Sequence, residues 1–230
     1  MANRGGPFGP GLLKFLRELD RHNNRSWFEK NKSRYESEVR EPALEFIRAM
    51  APHVERISSH FVASDRRVGG SLMRVHRDVR FSRDKRPYKT NVGIQFRHEA
   101  GRDVHAPGLY FHIEPASVFL GAGMWHPDAD ALAAVRRAID EDPGGWKRAR
   151  DGKRFRAFWE PSGDSLVRPP RGYVADHPLI EDIKRKDHIA ICAMSLRDVT
   201  RADLIRHASE RFGRAAGYLG WLAGAVGLPF

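Results

Sequence analysis

The hydrophobic periodicities of this 230-residue chain predict an α+β fold, with a central, mainly antiparallel sheet of about five strands and helices at the N- and C-terminal ends. Three observations carry the prediction. Apolar residues recur at helical spacing from residue 11 to about residue 58, they alternate with polar residues in short runs between 73 and 122, and helical spacing returns after 128. The expected organisation is a single domain over 1–230. A flexible lead-in at 1–10 precedes a helical part at 11–60, a sheet at 71–125, and helices with one further strand over 128–230.

In order, Leu12, Phe15, Leu16 and Leu19 mark the first helix, and Asn23-Asn24 interrupts it and offers a cap for the next. Trp27, Phe28, Tyr35 and Val39 fall largely on one side of that second helix. Pro42 suits a first helical turn, and Phe46, Ile47, Met50, Val54 and Ile57 continue a buried stripe. The period then changes to two. Met73 and Val75 alternate with Arg74 and His76, and Val92, Ile94 and Phe96 alternate with Gly93, Gln95 and Arg97. Leu109, Phe111 and Ile113 alternate with Tyr110, His112 and Glu114, and Val118, Leu120 and Ala122 follow a turn at Pro115-Ala116. One face of such a sheet is apolar, whereas the other carries Arg74, His76, Gln95, Tyr110, His112 and Glu114. Beyond Asp128, Leu132, Val135 and Ile139 mark a helix, Trp146 another, and Leu179–Lys186 a short one. Ile189–Met194 reads as a buried strand, and Arg201–Phe212 and Ala215–Val226 as two helices divided at Gly213.

Composition narrows the function classes. The hydrophobic fraction of 41% suits a packed core rather than disorder, and the net charge of +11 with a pI near 10.2 points to acidic partners. Arg outnumbers Lys 31 to 9 among 40 cations, so position says more than abundance. Cys192 is the only cysteine, which rules out an intramolecular disulfide and a cysteine-based zinc site. The opening MANRGGPFGP lacks a signal-peptide core, and Ala215–Phe230 is too short and Gly-rich to span a bilayer. The expectation is a cytoplasmic protein without a membrane partner.

The densest charge lies in RVHRDVRFSRDKRPYKTN, Arg74 to Asn91. Seven cations (Arg74, Arg77, Arg80, Arg83, Lys85, Arg86, Lys89) meet only Asp78 and Asp84, leaving +5 in the segment. Cations this crowded need neutralising partners, and guanidinium forks suit carboxylate or phosphate. Asp78 and Asp84 would orient the cations, Phe81, Pro87 and Tyr88 would anchor the loop, and Ser82, Thr90 and Asn91 supply short donors.

This run resembles the signature of the domain of unknown function 2461 family, a group of mostly bacterial proteins of about this length. HNNRSWFEKNKSRYESEVREPA, PGLYFHIEP, FLGAGMWHP and GYVADHPLI also resemble that family, so the likeness spans Leu12 to Phe212. The resemblance implies that Arg74, Arg77, Asp78, Arg80, Phe81, Lys85, Pro87, Tyr88 and Lys89 hold signature positions. It implies no activity.

The leading expectation is that Arg74, Arg77, Arg80, Lys85 and Lys89 contact an anionic, phosphate-bearing ligand, a nucleotide or nucleic-acid backbone, with Asp78 and Tyr88 positioning them. A second is an enzyme acting on a phosphorylated or carboxylated small molecule, with Asp78, His76 or His112 as acid–base groups. A third is a structural or protein-docking loop whose arginines and aspartates pair among themselves. Whether a reaction is catalysed is left open, and no cofactor is assigned. No metal is assigned either. His76, His112 and Glu114 would have to share one face to hold one, and the other histidines, His105 among them, lack ligand spacing. Trp125 could close over a site or simply end a strand, and Gly121 and Gly123 belong to no phosphate-loop motif.

Overall fold

The computed structural model describes residues 6–101 and 106–230, so residues 1–5 of the lead-in and His105 lie outside the described residues. The architecture is α+β, with one antiparallel sheet and helices before and after it. The strands are β1 (Phe61–Val62), β2 (Val92–His98), β3 (Gly108–Glu114), β4 (Ser117–Met124), β5 (Glu160–Ser162) and β6 (His188–Met194), in the order β1-β2-β3-β4-β6-β5.

Alternation decides how the sheet sits. Ile94 and Phe96 of β2, Leu109, Phe111 and Ile113 of β3, and Leu120 of β4 are wholly buried, and Ala190 of β6 joins them. Their side chains all point to one face, because successive strand residues alternate sides. That face is covered by helices. Glu41–Ile57 lies over β1 and β2, while Leu204–Arg214 and Ala216–Ala225 lie over β4. Phe8, within the predicted lead-in, is buried against Phe46 and Phe111, so the chain is already anchored before the first helix, Pro10–Arg21.

Local signals explain several helix starts. The Asn24 side chain accepts the Trp27 N–H at 3.0 Å and caps Arg25–Lys30, filling one of the donors that a helix start leaves open. Pro42 occupies the first turn of Glu41–Ile57. Three sequence expectations need correction. Met73–His76 is not a full strand; the chain touches the sheet through the Leu72–Ile94 bridge and the Met73 N–H to Gly93 O, and then bends away into the basic hairpin, whose arms pair at His76–Tyr88. The division near the C terminus falls at Ala215, where its N–H bonds to Phe212 O, so Gly213 stays inside Leu204–Arg214. The short helix is confined to Ile180–Ile183. The two short edge strands, β1 and β5, carry too few residues to show a period.

His188 opens β6 fully buried, packed edge-on against Trp146 at 5.6 Å, and neither ring nitrogen has a hydrogen-bond partner. Burial foremost, with Arg185 and Arg136 nearby, holds its pKa down at about 3. The folded chain therefore keeps this imidazole neutral while the unfolded chain protonates it below about 6.5. Stability is complete above that pH and falls as acidification proceeds toward the folded value. A His188→Phe variant is expected to lose less Tm than the parent between neutral pH and pH about 4, read by thermal melts across that range.

Candidate functional site

The face of the sheet opposite the helices is not flat. Gly108, Gly121 and Gly123 all project toward it, with Gly108 directly opposite Gly123 and Gly121 opposite Tyr110. Three positions without side chains leave a depression of about 470 Å³ over the middle of the sheet, a volume typical of small-molecule pockets. Its apolar walls are Met73, Phe119, Trp125, Ile189 and Ile191, and its polar groups are Lys89, Asn91, Gln95, Tyr110 and His112. Gly123 adopts φ +124°, and a Cβ there would lie 2.1 Å from the His188 carbonyl oxygen, so only glycine fits.

At one end of the depression, alternate residues of β3 form a connected polar row. The Tyr110 hydroxyl lies 3.1 Å from His112 Nδ1, and His112 Nε2 lies 3.5 Å from Glu114 Oε2. Thr90 Oγ1 donates to Glu114 Oε1 at 2.9 Å, and the Phe119 ring stacks on the imidazole at 4.7 Å. Asn91 Nδ2 sits 3.5 Å from His112 Nδ1. Burial pushes the Tyr110 phenol up to about 12, with the Glu114 charge acting in the same direction and an Asn91 hydrogen bond opposing. Burial likewise lowers the His112 pKa, against the opposing pull of the Glu114 hydrogen bond and charge. Gly93 faces His112 across the strand pair, and a Cβ on it would come within 2.8 Å of the Tyr110 hydroxyl and 2.9 Å of Met73 Sδ.

Lys89 reaches the same depression from the end of the basic hairpin. Its ammonium has no hydrogen-bond or ion-pair partner among the described residues. Its pKa is lowered by burial first and by the neighbouring Arg74 second.

The other residues predicted from the charge run lie elsewhere. Arg77 Nη1 pairs with Asp84 at 2.5 Å, Arg80 forks onto Asp78 at 3.0 and 2.7 Å, and Arg86 joins Asp84 to Asp20. Lys85 Nζ donates to the Val79 carbonyl at 3.0 Å. The Arg80 side chain foremost holds the Asp78 carboxyl down at about 2. The Arg86 N–H, followed by the Arg77 side chain, holds Asp84 well below the usual carboxylate range. Tyr88 is buried, stacked on Phe28 at 4.1 Å and tied through its backbone to Asn23. Arg74 stands exposed beside Lys89. None of Arg77, Asp78, Arg80, Lys85 or Tyr88 lines the depression.

The set His76, His112 and Glu114 does not assemble. His112 and Glu114 meet, but His76 leaves the sheet plane with the hairpin and its exposed ring lies 5.1 Å from Tyr88. Among the described residues no group of three His, Cys, Asp or Glu side chains is placed to hold a metal ion. Sequence reasoning put Tyr110, His112 and Gln95 on the face opposite the core but overlooked the apolar half of the depression there, Phe119, Ile189 and Ile191. It also gave no weight to Gly121 and Gly123. The available signal was their shared parity with Tyr110 once the strands are laid in register.

A Gly93→Ala substitution forces the Tyr110 hydroxyl or Met73 to move. Crowding of this kind costs about 1–3 kcal/mol, and at roughly 2–4 °C per kcal/mol for a chain of this size the melting temperature should fall by several degrees. Calorimetric melts check the expectation.

A family model described as "Conserved hypothetical protein (DUF2461)" matches residues 11–221, which extends the likeness past Phe212 into the Gly-rich tail. No curated protein matches the chain, and neither does any solved structure. Among the described residues no helix is long and apolar enough to cross a membrane.

Proposed function

This chain belongs to the DUF2461 family of conserved hypothetical proteins, and since that membership brings no activity with it, we propose from the geometry that it binds a small organic acid. The apolar body of the ligand lies on the glycine floor of the sheet and its carboxylate meets Lys89. The observation that carries this reading is the Lys89 ammonium, which lines a cavity of about 470 Å³ with no partner among the described residues. A half-buried cation without a counter-charge is costly, and an incoming anion removes that cost.

Magnitudes indicate what the ligand should look like. Each 100 Å² of apolar ligand surface removed from water contributes about 2.5 kcal/mol. A charge-assisted hydrogen bond contributes about 1.5–3 kcal/mol. Walls of Phe119, Trp125, Ile189 and Ile191 therefore favour acids with a branched or aromatic body over small acids such as acetate, while Lys89 selects acid over amide.

A second reading keeps the anion at the hairpin tip. Phe81 is 96% exposed there, with the Arg80 guanidinium 5.9 Å from its ring, and Arg83 lacks an acceptor among the described residues. An exposed ring beside cations suits a nucleic-acid strand, through stacking and phosphate contact.

Calorimetric titration separates the two. Branched and aromatic carboxylates should bind, their amides should bind much more weakly, and Lys89→Met should weaken the acids by roughly 10–100-fold. Arg83→Ala should leave them unchanged. If single-stranded oligonucleotides bind instead, with affinity falling steeply with salt and lost in Phe81→Ala, the hairpin-tip reading replaces the cavity one.

A further inference from the structure

We propose that Tyr110, His112 and Glu114 form a proton relay, which makes the sheet-face cavity an acid–base catalytic site for carboxylic acids carrying an enolisable carbonyl group. The inference rests on the cavity reading above and adds a reaction to it.

The geometry fixes a direction for the relay. Glu114 stands 3.5 Å from His112 Nε2 and is itself held by the Thr90 hydroxyl at 2.9 Å. With the Nε2 proton turned toward this carboxylate, Nδ1 is left as an acceptor, 3.1 Å from the Tyr110 hydroxyl. The Phe119 ring stacked at 4.7 Å keeps the imidazole from rotating out of this row. Gly93 leaves the room in which the hydroxyl sits, since a Cβ there would lie only 2.8 Å from it. Tyr110 and His112 line the cavity and Glu114 does not, so the carboxylate stands behind the imidazole and the phenol in front. This is the order in which a carboxylate orients a base and the base activates a hydroxyl. The other charged groups facing the row are few. Lys89 comes from the hairpin end across the cavity, and β4 offers only Phe119 and Gly121 opposite His112 and Tyr110.

In the proposed step a C–H bond breaks at the carbon next to the ketone, C3 of a 2-keto acid. The proton moves to the Tyr110 oxygen while the phenolic proton moves to His112 Nδ1, giving an imidazolium paired with Glu114. The electron pair left on carbon forms the enolate double bond, and the carbonyl pair moves onto oxygen. Lys89, already holding the carboxylate, lies on the side where that negative charge grows. Reversal returns a proton to carbon. No oxidant, reductant or metal enters the balance. A phenol with its pKa held near 12 by burial is a strong base once its proton has been drawn off toward His112.

The test uses ketoisocaproate, a branched keto acid, as probe with the whole protein in heavy water, following loss of its C3 methylene signal by proton NMR and binding by calorimetry in parallel. The parent protein should accelerate exchange at least 100-fold over free solution, within the range for positioned acid–base groups. Tyr110→Phe and His112→Gln should reduce the exchange rate at saturating protein to background. Their Kd for the probe should stay within about threefold, because the proton path and not the binding is removed. Glu114→Gln should lower the saturating rate partially, and Lys89→Met should act chiefly through Kd. Binding of the probe without accelerated exchange overturns the relay and leaves the cavity reading intact, as does parent-like exchange in Tyr110→Phe. No binding of ketoisocaproate or of its hydrocarbon-chain analogue isocaproate overturns both.

Discussion

Burial of one face of the central sheet is the constraint on which the rest of the molecule depends. Ile94, Phe96, Leu109, Phe111, Ile113 and Leu120 are removed from water by the helices packed over them, and each such side chain contributes about 1.5–3 kcal/mol. A slip of one residue in any of these strands would expose its entire apolar set. Register is thereby locked, and the residues of opposite parity acquire fixed neighbours without needing strong bonds among themselves. Tyr110, His112 and Glu114 are in line because Leu109, Phe111 and Ile113 are buried.

How legible this was in the sequence depended on which force placed each part. Period-two alternation identified β2, β3 and β4 and the polar face opposite the core, and Leu12, Phe15, Leu16 and Leu19 marked the first helix. Strands β1 and β5 went unseen because two or three residues cannot display a period. The cavity was hidden for a different reason. It arises from side chains that are missing at Gly108, Gly121 and Gly123, and their coincidence is visible only when β3 and β4 are paired in register. Ile189 and Ile191 read as core on hydrophobicity alone, yet their parity within β6 turns them to the open face.

The basic hairpin shows how a charge count differs from the number of cations a folded loop leaves unpaired. Seven cations against two aspartates in Arg74–Lys89 left a large formal excess, but one carboxylate can serve several guanidinium groups. Asp84 takes Arg77 and Arg86, Asp20 reaches in from the first helix to Arg86, and Lys85 uses a backbone carbonyl that no charge count includes. Such exposed pairs add little to stability, so their role is to give the loop a shape. That shape buries Tyr88 against Phe28 and delivers Lys89 to the edge of the sheet. The signature run and the cavity are therefore parts of one arrangement, joined at Lys89 and Asn91.

The floor of the depression is peptide backbone rather than side chain. Peptide planes in a sheet interior have already committed their N–H and C=O groups to neighbouring strands, so they present a surface that is flat, stiff and chemically quiet. Whatever rests on it is discriminated by thickness and outline, with little help from directional bonds beneath. Under the proposed acid-binding role, selectivity resides in the rim, at Phe119, Trp125, Ile189 and Ile191, where one side chain can be exchanged for another without disturbing a single strand hydrogen bond. Under that same proposal, exchanging a wall residue alters which ligand fits and leaves the sheet and its buried face untouched.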